Sequence, residues 1–138
     1  MKFSIPRETL LKPLQLVAGV VERRQTLPIL SNVLLKAGQD GLSIIATDLE
    51  IEMSARTAFD CSDEGSVTLP ARKFIDICRA LPEQALIEIS TEGNSEESGG
   101  RAVMRSGKSR FVLSTLPAAE FPNIGSFAKV EVGITTGA

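Results

Sequence analysis

Histidine, tryptophan and tyrosine are absent from this chain of 138 residues, and there are only two cysteines. Without histidine there is no histidine general base, no Ser-His-Asp or Cys-His arrangement and no zinc site of the usual kind. Without tryptophan and tyrosine, stacking on nucleic-acid bases would depend on six phenylalanines, most of them at core-like positions. The composition therefore argues against these catalytic arrangements and against a single-strand binder.

Long apolar segments are also missing. No apolar run approaches ~18 residues, the length of a membrane span, and the N-terminus has no apolar segment before a cleavage site. Cys61 and Cys78 are therefore expected to be reduced thiols of a cytoplasmic protein. The net charge of −2 excludes a generally basic nucleic-acid-coating protein and a disordered acidic tail.

A strand-proline-helix pattern occurs twice, 64 residues apart. Residues 2–17 (KFSIPRETLLKPLQLV) align with residues 66–81 (SVTLPARKFIDICRAL), so that Pro6 meets Pro70 and the apolar stripes coincide. At an offset of 129 residues the first strand begins to repeat again. Such a repeated supersecondary unit defines the architecture.

Three strand-like segments follow each helix. They are residues 29–37, 42–47 and 49–58 in the first repeat, and residues 85–91, 101–105 and 109–115 in the second. We predict one α+β domain of two β-α-β-β-β units, with two helices on one side of antiparallel sheets. The units are about 1–64 and 65–126, and residues 127–138 hold a linker and the first strand of a further domain.

Basic residues concentrate in the helical segments. Residues 1–28 carry a net charge of +3 and residues 70–82 carry +2, which leaves −7 for the remainder. We therefore predict a basic helix layer and an acidic sheet layer. Arg72 and Arg79 lie roughly 10 Å apart along their helix, a spacing that suits successive phosphates of a duplex, although an ordinary solvated helix face has the same pattern. The candidate DNA-binding residues of this layer are Arg7, Lys12, Gln15, Arg23, Arg24, Arg72 and Arg79.

Two other segments each have two interpretations. Asp48, Glu50 and Glu52 alternate along a predicted strand, so they could bind Mg²⁺ for phosphoryl chemistry. The wet face of a sheet is the simpler explanation, because no basic or nucleophilic partner stands beside them. Residues 109–113 (SRFVL) form either a core strand or an edge strand that pairs with another chain.

Several longer segments together resemble one known family. They are MKFSI with RETLLKPL, TLPILSNVLL, ATDLEIEM, LPARKFIDICRALP, SGKSRFVLSTLPAAEFPN and VEVGIT. In this order and spacing they resemble the N-terminal domain of the bacterial DNA polymerase III beta subunit, the replicative sliding clamp. The resemblance spans nearly all 138 residues. The set is highly specific, although no single segment is.

The resemblance implies a processivity factor and not an enzyme, with no catalytic residue, metal or cofactor. In the family, three such domains per chain and two chains joined head to tail form a ring. Helices line the hole, duplex DNA passes through it, and the ring slides while tethering the polymerase. Because the grip is topological, contacts with DNA can stay weak and independent of sequence.

Some DNA-binding candidates also match family positions. Arg24 matches a DNA-contacting loop arginine of the family, and Arg72 and Arg79 match basic positions of the inner helices. Arg23 departs from the small residue that many relatives have beside that loop arginine. The remaining candidates (Arg7, Lys12 and Gln15) depend mainly on the charge pattern.

The predicted ring-closing strand supplies a second set of matches. Phe111 and Leu113 match its apolar residues. Three basic residues match positions that pair with acids on the facing subunit: Lys73, Lys108 and Arg110.

The length differs from that of the family. The chain ends just inside the second domain, so the homodimer contact with the third domain and the later domains that bind polymerase and clamp loader are expected to be absent. We predict a soluble monomer with weak, salt-sensitive duplex binding. The alternatives are a stand-alone non-specific DNA-binding module, a protein-interaction module and a metal-dependent enzyme.

Overall fold

The computed structural model describes residues 2–21, 28–38, 41–49, 51–57, 64–92, 100–116, 118–122 and 128–134. Two α-helices occur in these segments, α1 (Arg7–Ala18) and α2 (Ala71–Ala80), with short 3-10 helices at Pro28–Ser31 and Ala118–Glu120. The strands are β1 (Lys2–Pro6), β2 (Asn32–Gly38), β3 (Gly41–Thr47), β4 (Ile51–Thr57), β5 (Gly65–Pro70), β6 (Leu86–Glu92), β7 (Arg101–Ser106), β8 (Ser109–Ser114) and β9 (Ala128–Ile134).

The strands form two sheets that exchange their first strands. A four-stranded sheet has the order β1-β6-β7-β8, and a five-stranded sheet has the order β5-β2-β3-β4-β9. The first strand of each repeat thus pairs with the three-strand meander of the other repeat, with Phe3 opposite Ile89 and Leu35 opposite Val67. The α+β class, the two repeats and both meanders are confirmed, and the exchange is a feature that the sequence pattern did not specify.

Each helix begins directly after a proline and buries one face. The fixed φ of proline suits the entry to a helix, and α1 starts after Pro6 and α2 after Pro70. On α2, Phe74 and Cys78 are fully buried. The buried side of α1 consists of Leu10, Leu11, Pro13, Leu14 and Val17. All of these side chains except Pro13 join those of both sheets in a single core cluster, so the helices form one layer over the sheets.

The segment between β3 and β4 differs from the prediction. Asp48 lies in a turn, where its Oδ1 accepts a hydrogen bond of 2.9 Å from the backbone N–H of Ile51, and Leu49 has a φ of 80°. A short aspartate side chain stabilises turns in this way. The prediction that Asp48 alternates with Glu50 and Glu52 along one strand is therefore wrong. Glu52 lies in β4, and Glu50 is outside the described residues.

The segments after β8 return to the five-stranded sheet. Thr68 of β5 exchanges backbone hydrogen bonds with Leu116, and its Oγ1 donates a further hydrogen bond of 2.9 Å to the Leu116 carbonyl oxygen. Beyond this contact, β9 pairs with β4 in parallel, with Val132 opposite Ala55. The predicted strand near the C-terminal end therefore forms, and it adds to the meander of the first repeat.

The described helices are too short and too polar for any of them to cross a membrane.

Candidate nucleic-acid interface

Four predicted DNA-binding residues lie exposed on the helix layer, and we call them the helix surface: Lys12, Gln15, Arg72 and Arg79. Each stands on the outward side of its helix because the apolar stripe turns the opposite side toward the core. Within the described segments, neither arginine of this surface has an ion-pair partner. These side chains are therefore available to an anionic partner.

A cleft separates the two helices at this surface, and we call it the interhelix cleft. Its volume is about 260 Å³, and Gln15, Arg72 and Arg79 stand at its rim together with Asp76. Apolar side chains and Gly19 complete its lining: Ala18, Val21, Ala71 and Ile75. The packing of α1 beside α2 thus brings residues about 60 positions apart in sequence into one site.

Arg7 does not join the helix surface. Its side chain is only 12% exposed, and its Nε donates a hydrogen bond of 2.7 Å to the carbonyl oxygen of Cys78 near the end of α2. The backbone N–H of Arg7 donates to the carbonyl oxygen of Ala85 at 2.8 Å, and a second guanidinium nitrogen contacts Glu8. The hydrogen bond to Cys78 and the contact with Glu8 hold the guanidinium in a largely buried position. This differs from the exposed position that the charge pattern predicted for it.

Arg23 and Arg24 lie outside the described residues, so their assignment to DNA contact stays a prediction.

The predicted acidic sheet layer is wrong. In the four-stranded sheet, Arg101, Arg105 and Arg110 are exposed on β7 and β8, and Lys108 is exposed in the turn between them. Across the described strands, seven basic residues stand against four acidic ones. The count of charges by segment was correct, but the residues outside the helices are not all in strands, so that count did not give the charge of the sheets.

Strand β8 lies at one end of the four-stranded sheet among the described strands, so of the two interpretations of this segment the edge strand is correct. Of the two predicted interface residues on it, Leu113 is buried and Phe111 is half-buried against the protein's own core. Val112 between them is 44% exposed. The strand therefore offers its backbone edge and Val112 to a partner, together with exposed Lys108 and Arg110. Lys73 is exposed on α2.

Arg105 and Val112 were missed by the sequence-based prediction of this edge. The two-residue turn Gly107-Lys108, in which Gly107 has a φ of 58°, fixes a register that places Arg105 directly opposite Arg110. Like charges directly opposite each other on a sheet are destabilising unless a counter-charge is present. The Gly-Lys pair between two strand segments was the signal from which this register could have been read.

A metal-dependent site has no support in the described part of the chain, where no three His, Cys, Asp or Glu residues are grouped to hold a metal ion.

The fold of two helices over two sheets matches that of solved sliding clamps. A crystal structure of a sliding clamp (DNA polymerase III subunit beta) from Pseudomonas aeruginosa, bound to griselimycin, superposes with a TM-score of 0.84 at 52% identity. The superposed part covers 91% of this chain and 33% of that one. A beta sliding clamp structure from Caulobacter crescentus gives the same TM-score at 44% identity, covering 91% of this chain and 32% of that one.

Residues 1–125 match the family described as DNA polymerase III beta subunit, N-terminal domain, and the chain belongs to that family. Among curated proteins, the beta sliding clamp of Escherichia coli K12 is 55% identical over 125 residues, which are 90% of this chain and 32% of that protein. The beta sliding clamp of Vibrio cholerae is 50% identical over 137 residues, 98% of this chain and 36% of that protein. The chain thus spans about a third of the length of these relatives.

Proposed function

We propose that this chain is a non-catalytic part of a bacterial sliding clamp. Together with further domains of the kind that its longer relatives contain, it forms a ring around duplex DNA and keeps the replicative polymerase on its template. The observation that carries this proposal is the helix surface, where exposed cations from two repeated helices face outward in a fold that superposes on sliding clamps.

The chemistry of the helix surface suits sliding. Arginine and lysine contacts to phosphate provide affinity without reading sequence, and a small number of such contacts is easily broken. Enclosure by a ring supplies the persistence that these contacts lack. The surface therefore needs only to keep the duplex centred, and the two helices present few cations that could hold it at one position.

The other partners follow from the same proposal. The edge of β8, with Val112, Lys108 and Arg110, meets a domain of a second chain and closes a homodimeric ring. Polymerase and clamp loader bind domains that lie outside this chain. Residues 1–126 are one domain and residues 127–138 begin the next, so that the pairing of β9 with β4 extends the five-stranded sheet across the boundary. The complete protein acts in the cytoplasm.

The helix surface is tested by measuring duplex affinity of the 138-residue chain against salt concentration. Each phosphate contact contributes about 0.9 to the slope of log K against log salt. Replacing both Arg72 and Arg79 by alanine should therefore reduce the slope by about 1.8. The matched control is Lys36→Ala, which removes an exposed cation from β2 and should leave the slope unchanged. Equal slopes for wild type and double variant, or tight sequence-specific binding at moderate salt, would contradict the proposal.

Ring function requires the complete assembly. A chimera in which residues 1–125 replace the matching third of the E. coli clamp should be retained on circular DNA after loading and released when the DNA is linearised. The same chimera with Val112→Asp and Arg110→Glu should fail to stay on the circle. A well-folded chimera that leaves circular and linear DNA at the same rate would refute the proposed role in a ring.

A further inference from the structure

The interhelix cleft combines two kinds of lining that ordinary contact with a duplex backbone does not require. Its inner wall is apolar, from Ala18, Val21 and Ile75, all half-buried. Its rim is polar and carries both cations and a carboxylate. A surface that only touches phosphates needs the cations alone, so the apolar wall and the carboxylate require another explanation.

The rim has a defined order of charges. Asp76 follows Arg72 by four residues and precedes Arg79 by three, so it lies between the two guanidinium groups on one side of α2. Within the described residues, Asp76 has no ion-pair partner although both arginines are close enough in sequence to provide one. The rim thus presents a hydrogen-bond acceptor flanked by two groups that bind anions.

A nucleotide has the chemistry that matches this lining. Its base is flat and apolar on both faces, its amino edge donates hydrogen bonds to carboxylates, and its flanking phosphates are anionic. A volume of about 260 Å³ lies just below the ~300–1,000 Å³ of pockets for drug-sized ligands, which suits one base. The chain has no tryptophan or tyrosine on which a base could stack. The aliphatic wall and the planar guanidinium groups can contact the base instead, since bases also stack on arginine.

We infer that the interhelix cleft holds one unpaired nucleotide of a DNA strand, with the base against Ile75, its amino group on Asp76 and its flanking phosphates on Arg72 and Arg79. This inference rests on the proposed function, which brings DNA to the helix surface. A paired base cannot enter, because it would first have to leave the stack at an energetic cost that a mismatched or bulged base has largely avoided. The cleft therefore distinguishes a bulged duplex from a perfect one.

The test compares two labelled duplexes at low salt, one perfect and one with a single bulged cytosine, by fluorescence anisotropy. The bulged duplex should bind roughly fivefold more tightly, the effect of about one additional hydrogen bond. Amide signals of ¹⁵N-labelled protein at Ala18, Val21 and Ile75 should shift further with the bulged duplex than with the perfect one at equal saturation.

Two variants isolate the cleft from general electrostatics. Ala18→Leu occupies the cleft without changing charge and should remove the preference for the bulge. Asp76→Ala should increase affinity for the perfect duplex, since it removes a negative charge, and yet reduce the preference. Glu83→Ala is the matched control, because Glu83 is an exposed acid that does not line the cleft; it should increase affinity for both duplexes and keep their ratio.

The outcomes separate the two proposals. Binding of both duplexes with equal affinity, or a preference that persists in Ala18→Leu and Asp76→Ala, would overturn the nucleotide site and leave the sliding-clamp function intact. Failure of both duplexes to bind at low salt would overturn the proposed role of the helix surface and the nucleotide site with it.

Discussion

Replacing Arg7 by methionine should destabilise the protein without weakening its interaction with DNA. The substitution keeps an unbranched stem of similar length in a site where the arginine side chain is only 12% exposed. It removes the hydrogen bond of 2.7 Å from Nε to the carbonyl oxygen of Cys78, which joins the start of α1 to the end of α2. The change therefore tests whether this arginine is a structural link between the helices.

The magnitude follows from the contacts of that carbonyl. A hydrogen bond with a charged partner contributes about 1.5–3 kcal/mol. The Cys78 oxygen also accepts a bond of 3.3 Å from the N–H of Leu81, so it is not left without a partner and the lower part of the range applies. The ion pair with Glu8, which is 52% exposed, adds little. A cation is unfavourable near the N-terminus of a helix, so removing it from α1 increases the free energy of unfolding by about a few tenths of a kcal/mol. The expected loss is about 1.5 kcal/mol.

Urea denaturation measures the free energy of unfolding, and Lys12→Met supplies the comparison, because Lys12 is an exposed cation on the same helix. Lys12→Met should change stability by less than about 0.5 kcal/mol and reduce the salt slope of duplex binding by about 0.9. Arg7→Met should show the reverse pattern. The reasoning fails if Arg7→Met leaves stability unchanged and lowers the salt slope as Lys12→Met does.

Three further substitutions test the core, the turn before β4 and the buried thiol, each by urea denaturation. Phe74→Ala should cost about 3–5 kcal/mol, because the ring is fully buried; a loss below 1 kcal/mol would contradict its central position. Leu49→Gly should stabilise by about 0.5–1 kcal/mol, since Leu49 has a φ of 80° and is 44% exposed; a loss of stability would show that its side chain makes an essential contact. Burial raises the pKa of Cys78 to about 12, with Arg7 opposing the shift. The unfolded thiol ionises near pH 9 while the folded one stays protonated, so this group destabilises the fold by about 1.4 kcal/mol per pH unit from pH 9 to 12. Cys78→Ala should therefore lose less stability between pH 8 and pH 10.5 than the wild type does, and equal losses would refute the assignment.

The repeat made most of the fold predictable from the sequence. Matching prolines and apolar stripes predicted both helices, and alternation predicted both meanders. The exchange of first strands could not be predicted in the same way, because β1 and β5 have equivalent patterns and each could pair with either meander. The choice between these pairings depends on contacts between residues distant in sequence.

The candidate site was predictable where exposure follows from helical period. Arg72 and Arg79 stand opposite Phe74 and Cys78 on α2, and the period alone places them outside. Arg7 differs from them, because it lies between Leu11 and Leu14 on the helical wheel of α1, within the buried face. The period therefore favours an inward position, and only the charge count predicted its exposure. Its hydrogen-bond acceptor, a carbonyl oxygen 71 residues away, could not be predicted from the sequence. The alternation in β8 predicted that Phe111 and Leu113 share a face, but it could not show that this face packs on the core.

The exchange of first strands has a consequence for the unit of folding. Each repeat would expose the edge of its own meander if it were separated from the other, since β2 needs β5 and β6 needs β1 as neighbours. Separation would also remove the contact between α1 and α2. The exposed strand edge would favour aggregation. Hydrogen bonds between Thr68 and Leu116 connect the end of the second repeat to β5. Strand β5 is the first strand of the second repeat, but it lies in the sheet of the first repeat. The two repeats therefore fold as one unit, and this joint folding holds α1 beside α2 so that cations from both repeats form a single surface.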